Sequence, residues 1–210
     1  MIITSTDNAK LVACKKLADK KYRRATGAYL VEGERLVADA IRHGAVVTEI
    51  FVKQSVADKF TQAYPQADVV ADKAFAAISD TVNSQGIVAV CAYRPDDDLV
   101  APTGNCLVLD NVQDPGNAGT LIRTAAATGF DTVFAVNSVD LYSPKVLRAA
   151  MSAHFCVKLC QTHDYEALFA LLADNKYQIV CADMGGTDVF GMDFPRRIAL
   201  VVGNEGNGLS

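Results

Sequence analysis

Three stretches of this 210-residue chain gather residue types that do chemistry. The first runs Asp110-Asn111-Val112-Gln113-Asp114-Pro115-Gly116-Asn117-Ala118-Gly119-Thr120-Leu121-Ile122-Arg123. Pro115 and Gly116 predict a rigid turn, and Asn117 is of a type that caps the helix expected over Ala118–Ala127. Gly119 leaves the first helical turn open to close approach by a backbone or a substrate. Arg123, four residues on, shares a helix face with Gly119, and its forked guanidinium suits a phosphate or a carboxylate. A capped helix carrying a surface arginine accounts for the same residues equally well. The second stretch, Asp183-Met184-Gly185-Gly186-Thr187, could admit a flat ligand against its backbone, although its composition also fits an ordinary turn from strand to helix. The third, Gly203-Asn204-Glu205-Gly206-Asn207-Gly208-Leu209, spaces its glycines GxxGxG, which is neither the dinucleotide fingerprint nor a phosphate-binding GxxxxGK loop. Glu205 offers an acceptor for ligand hydroxyls or for a basic partner. No GxSxG elbow, Ser-His-Asp order or persuasive carboxylate pair accompanies them, which argues against acyl transfer and glycoside hydrolysis.

The elements that position these stretches alternate between strand and helix. In the first half the pattern predicts a helix over Asn8–Leu17, a strand at Tyr29–Val31, and an amphipathic helix opening at Glu32-Gly33 with Leu36, Val37, Ala40 and Ile41 on one face. Strands follow at Glu49–Val52, Asp68–Ala71 and Gly86–Ala92. Ser55 is expected to cap a helix to about Tyr64, and Asp72 one over Lys73–Ile78. Clustered charge and Pro/Gly at Arg94–Asp98 and Ala101–Gly104 read as a linker. In the second half, strands are expected at Cys106–Leu109, Thr132–Val136, Cys156–Leu159, Gln178–Ala182 and Ile198–Val202. Helices are expected from Ser143-Pro144 to Met151 and over Tyr165–Leu172. Such alternation predicts a mainly parallel sheet covered on both faces, whose ligands bind beyond the carboxyl ends of the strands. All three chemical stretches leave such ends.

Half of the residues are hydrophobic and 21% are charged, which allows a sizeable core and excludes a disordered chain or a disulfide-stapled miniprotein. No run of 18 apolar residues occurs and the first ten residues lack a signal-peptide core, so a membrane is not expected and the cytoplasm is the default. The six cysteines are scattered without a CxxC pair and read mostly as buried, reduced thiols. His154, Cys156, Cys160 and His163 form the tightest group of ligand types, but they lack the paired short spacings of structural zinc and no metal site is assigned. The net charge of -4 argues against a uniformly basic nucleic-acid binder. Its distribution is uneven. Residues 1–24 hold Lys10, Lys15, Lys16, Lys20, Lys21, Arg23 and Arg24 against Asp7 and Asp19. The segment is either a local anion-seeking patch or a solvated helix face.

At the three loops the chain resembles the SpoU, or TrmH-like, family of RNA 2'-O-methyltransferases within the knotted SPOUT superfamily. Asp114-Pro115, Asn117, Gly119, Arg123-Thr124-Ala125 and Gly129 match the family's first motif. Leu200-Val201-Val202-Gly203-Asn204-Glu205-Gly206-Asn207-Gly208-Leu209 matches the second, G-x-E-x-x-G-L. Tyr29-Leu30-Val31-Glu32-Gly33 is similar to the L30e-like substrate-binding domain that precedes the catalytic domain in many members.

The resemblance implies an L30e-like RNA-binding domain over residues 1–95, a linker over 96–104, and a SPOUT methyltransferase domain over 105–210, an α/β fold with a trefoil-knot parallel sheet flanked by helices. It implies methyl transfer from S-adenosylmethionine to a ribose 2'-hydroxyl of RNA, ribosomal RNA being typical of this arrangement, by a homodimer. Asn117 and Arg123 would line the catalytic site with Glu205 close by. Met184, Gly185, Gly203 and Leu209 would hold the cofactor through their backbone. Lys10 to Arg24 would contact phosphates, which fix position more than sequence. Arg123 is the family's proposed activator of the hydroxyl; because a guanidinium is a poor base, orienting the hydroxyl and stabilising the developing alkoxide is the role expected of it. Two departures stand out. Arg148-Ala149-Ala150-Met151-Ser152 replaces a usual R-A-S-M-G, and the third motif, with its Ser-Leu-Asn core, is absent, so the knot-forming segment is expected to be missing from residues 105–210. An inactive RNA-binding protein on the same scaffold is the competing expectation. A nucleotide-binding α/β enzyme of another kind is disfavoured by the glycine spacing.

Overall fold

Buried β-branched and aromatic runs set the strands, and side-chain caps at Asn8, Asp19, Asp114, Ser143 and Asp164 start five of the helices. The computed structural model describes residues 2–93 and 99–210, in two units, 1–95 and 96–210. Arg94–Asp98, the charged part of the expected linker, lie outside the described residues. No helix among the described residues is long and apolar enough to cross a membrane.

The first unit contains β1 (Ile2–Ile3), α1 (Ala9–Lys16), α2 (Lys20–Thr26), β2 (Ala28–Glu32), α3 (Glu34–Arg42), β3 (Val46–Lys53), α4 (Ala57–Phe60), β4 (Asp68–Val70), α5 (Asp72–Phe75) and β5 (Ile87–Ala92). Its sheet has the order β1-β4-β3-β5-β2; β5 runs antiparallel to β2 and β3, while β1 and β3 run parallel to β4. Leu11, Cys14, Phe51, Val70, Phe75 and Val88 form a buried cluster on this sheet. Two expected caps work differently. Ser55 lies in a 3-10 turn, and its backbone N–H donates to Asp72 Oδ1 at 3.0 Å. That carboxylate also pairs with Lys53, so Asp72 ties two segments together instead of capping α5. Glu32, at the end of β2, gathers the loop before β5 by accepting from Ser79 Oγ, Asp80 N, Thr81 Oγ1 and Ser84 Oγ at 2.5–2.9 Å.

The second unit contains β6 (Cys106–Asp110), α6 (Pro115–Ala127), β7 (Thr132–Val136), α7 (Pro144–Ala150), β8 (Lys158–Thr162), α8 (Tyr165–Asp174), β9 (Gln178–Cys181) and β10 (Ile198–Val202). Its sheet is parallel throughout, in the order β8-β7-β6-β10-β9. Strands β6 and β7 are buried along their whole length, as parallel strands covered on both faces must be. Leu107, Leu109, Ile122, Val133 and Leu147 are buried with α6 and α7, and Val108, Phe134, Leu168 and Leu172 fill the opposite face. The chain leaves β6 toward β7 and β8 on one side and returns to β9 and β10 on the other. The order therefore reverses at the β6–β10 pair, the place where parallel sheets of this kind bind their ligands. Four of the six thiols are buried, and burial pushes those of Cys14, Cys91 and Cys106 up to about 12. Cys156 is exposed and precedes its strand, which starts at Lys158.

Candidate active site

The first chemical stretch is shaped by Asp114, not Asn117. Asp114 is the N-cap of α6, its Oδ1 accepting from Asn117 N at 2.8 Å, and Pro115 occupies the first helical turn, where it removes no needed donor. Asn117 thus lies inside the helix, and its side chain is turned elsewhere. Its Nδ2 donates to Glu205 Oε1 at 3.2 Å. The same carboxylate accepts from Asp114 N at 3.1 Å and from Gln113 N at 3.3 Å. Glu205 therefore joins the loop after β10 to the loop after β6. Desolvation pushes its carboxyl up, but its own backbone N–H, the Asn117 amide and the two facing backbone N–H groups outweigh that and hold it below the ordinary value. It is an anion with its acceptors engaged, and it is not poised as a base.

The loop after β10 is closed on itself. Asn204 N donates to Gly208 O at 2.7 Å and Gly208 N returns to Asn204 O at 3.0 Å. Asn204 Oδ1 accepts from Gly206 N and Asn207 N, both at 3.0 Å, while its Nδ2 reaches Asn111 O at 2.9 Å. A Cβ on Gly203 would lie 2.3 Å from Gly208 O, so no other residue allows this closure. The far end is fastened as well. Ser210 N donates to Asp110 Oδ2 at 2.7 Å, and Tyr165 Oη donates to Asp110 Oδ1 at 2.5 Å.

Gly119 serves helix packing. A Cβ there would lie 2.3 Å from Ala149 Cβ and 2.7 Å from Ala150 N, so α6 and α7 approach through this residue. Arg123, one turn on, is exposed and makes no hydrogen bond or ion pair with any described residue. Its guanidinium is uncommitted, in contrast to the fully engaged Glu205. Met184 and Gly185 are also exposed, in the loop after β9. Because β9 and β10 pair in parallel, this loop and the Gly203–Leu209 loop leave the same end of the sheet. Gly185, Gly186, Gly206 and Gly208 carry no side chains there and are exposed.

The basic residues of the first unit divide. Lys15, Lys16, Lys20, Lys21 and Arg24 are exposed along α1 and α2. Lys10 is held by Asp68 at 2.6 Å and lies 3.7 Å from Glu49, and the bond to Asp68 raises its pKa. Arg23 is buried, and its Nη1 donates to Leu17 O at 2.7 Å and Ala18 O at 2.8 Å. Its guanidinium closes the turn between the helices and faces away from solvent.

Residues 104–210 match the SpoU rRNA Methylase family, and residues 8–89 match the MRM3-like substrate binding domain. The chain belongs to the SpoU rRNA methylase family. It is 35% identical to the 23S rRNA (guanosine(2553)-2'-O)-methyltransferase RlmP of Bacillus subtilis, over 99% of this chain and 84% of that protein. The crystal structure of an AdoMet-bound rRNA methyltransferase from Sinorhizobium meliloti superposes with a TM-score of 0.86 and 27% identity, covering 100% of this chain and 83% of that one. A putative TrmH-family RNA methyltransferase from Porphyromonas gingivalis gives 0.84 and 28%, covering 97% and 83%. The structural roles of Asp110, Tyr165 and the buried Arg23 carry no signal in the sequence motifs. Their partners lie far off in the chain, or are backbone carbonyls that a sequence does not display.

Proposed function

We propose that this SpoU-family chain transfers a methyl group from S-adenosylmethionine to a ribose 2'-hydroxyl of ribosomal RNA, acting as a homodimer in the cytoplasm. The observation that carries the reading is the Glu205 junction: it locks the two motif loops together and leaves Arg123 the uncommitted charged group beside them. Lys15, Lys16, Lys20, Lys21 and Arg24 hold the phosphate backbone, and Lys10 and Arg23 keep the shape of that surface. The bare backbone around Met184, Gly185, Gly203 and Leu209 fits the adenosine of the cofactor, which supplies a methyl group on a sulfonium. Transfer breaks the sulfur–carbon bond, forms the oxygen–carbon bond and releases the hydroxyl proton.

The chain contributes mainly position. Asn117, held by Glu205, fixes one side of the acceptor site, and the Arg123 fork orients the 2'-hydroxyl and its neighbouring phosphate while stabilising the developing alkoxide. Exposed Met151, Ile179, Val189 and Phe190 supply apolar surface for association of two copies. The test is methyl incorporation from labelled cofactor into ribosomal RNA by wild type and Arg123→Lys. Wild type should give 2'-O-methylated nucleoside, and the lysine variant should lose about a hundredfold in turnover with cofactor affinity kept. Near-normal turnover across pH in Arg123→Lys overturns the forked role. RNA binding without cofactor binding supports the inactive scaffold instead.

A further inference from the structure

The Asp110 carboxylate is nearly fully buried, at 3% exposure, at the carboxyl end of the central strand β6. It accepts from Tyr165 Oη at 2.5 Å, from Ser210 N at 2.7 Å and from Ser210 Oγ at 2.7 and 2.9 Å. Every one of these donors is neutral. No described Lys, Arg or His pairs with it. Three neutral donors therefore stabilise a carboxylate that keeps its negative charge inside the fold. Burial pushes this carboxyl up, yet the Ser210 and Tyr165 donors outweigh burial and keep it below the ordinary value, so the charge is present at neutral pH.

Its place decides what that negative charge can act on. Leu109 pairs with Val202 in the β6–β10 ladder, so Asp110 follows on one strand as Gly203 follows on the other. Ser210, its hydrogen-bond partner, adjoins Leu209. The anion therefore underlies the loop assigned above to the cofactor, at the reversal point of the sheet. We infer that Asp110 is a positioning residue whose charge favours a sulfonium over a neutral thioether at this edge, so that it holds the methyl donor and loosens the demethylated product. This rests on the methyltransferase reading and adds a basis for telling substrate from product. S-adenosylmethionine carries two cationic groups, its α-ammonium and its sulfonium, and only the second charge disappears on methyl transfer.

Calorimetric titration of the chain with S-adenosylmethionine and with S-adenosylhomocysteine separates these effects. In Asp110→Asn, affinity for the sulfonium compound should fall about tenfold while that for the thioether changes less than about twofold, as removal of one nearby charge in a partly screened site implies. Tyr165→Phe removes a donor and leaves the carboxylate less quenched, so the ratio should move the opposite way, about two- to threefold. Equal weakening of both compounds marks a merely structural Asp110 and overturns the inference. If Asp110→Asn does not fold, an unmoved ratio in Tyr165→Phe overturns it as well. Wild type that binds neither compound overturns the methyltransferase reading itself, and the inference with it. Wild type that binds both, with ratios unmoved in the variants, overturns the inference alone.

Discussion

His154 should make the second unit lose stability between pH 7.5 and 5. The residue lies in the 3-10 turn Met151–Phe155 at 4% exposure, edge-on to the rings of Tyr142 at 5.2 Å and Phe155 at 5.4 Å. Burial drives the imidazole from 6.5 down to about 3, against the raising influence of Asp140. Above pH 6.5 the ring is neutral whether the chain is folded or not, and no penalty applies. Below it the unfolded chain takes up a proton that the folded chain refuses, so stability falls as pH falls until about pH 3. Each pH unit costs about 1.4 kcal/mol, which gives about 2 kcal/mol at pH 5, or roughly 4–8 °C in melting temperature. Ordinary carboxylates titrate mostly below this window. Urea unfolding of wild type and His154→Leu at both pH values isolates the effect, because packing changes in the variant cancel between them. The variant should lose about 2 kcal/mol less than wild type over the interval. Equal losses in the two proteins refute the reasoning.

Four further perturbations follow from the contacts described above. Glu205→Gln places an amide group against the N–H groups of Gln113 and Asp114; methyl transfer should fall about a hundredfold with RNA affinity within about twofold, read by single-turnover kinetics and filter binding. Gly119→Ala should destabilise the chain by about 1–3 kcal/mol in urea, since its Cβ meets Ala149 and the Ala150 backbone, and Ala149→Gly should recover part of that loss. Replacing Lys15, Lys16, Lys20 and Lys21 with Gln should flatten the dependence of log affinity on log salt by about 0.7 or more for each phosphate the surface no longer neutralises. Arg23→Gln should lower the melting temperature with the slope unchanged, because its guanidinium is spent on Leu17 O and Ala18 O.

Much of the second unit is legible because its strands are continuous apolar runs between turn residues. Thr132–Val136 and Ile198–Val202 fall where the pattern puts them. Helix α2 escapes because Lys20–Thr26 has no apolar period; its helix comes from Asp19, which accepts from Lys21 N at 2.7 Å, and from the stop at Gly27. Those two residues are the available signal. In the site, the motif residues stand out by type, but their tasks depend on distant partners. Glu205 reads as an acceptor open to ligands, whereas three of its donors lie about 90 residues earlier in the chain. Asp110 looks like the first loop residue, and only Tyr165 and Ser210, 55 and 100 residues on, give it a buried place. Local pattern reports local geometry, and neither partner is local.

The strand order also sets a schedule for the growing chain. Strand β9 pairs with β10 and with no other described strand, and β10 enters between β9 and β6. Until β10 is made, β9 has no ladder to join and the edge of β6 stands open. The β6–β10 pairing spans some 90 residues, so it forms late and carries the loop-closure entropy of a long chain segment. A ribosome synthesising this protein therefore releases β6, β7 and β8 as a sheet with an unfinished edge, exposed to pairing with other chains. Glu205 emerges three residues after β10, so the junction of the motif loops cannot form before that edge is closed.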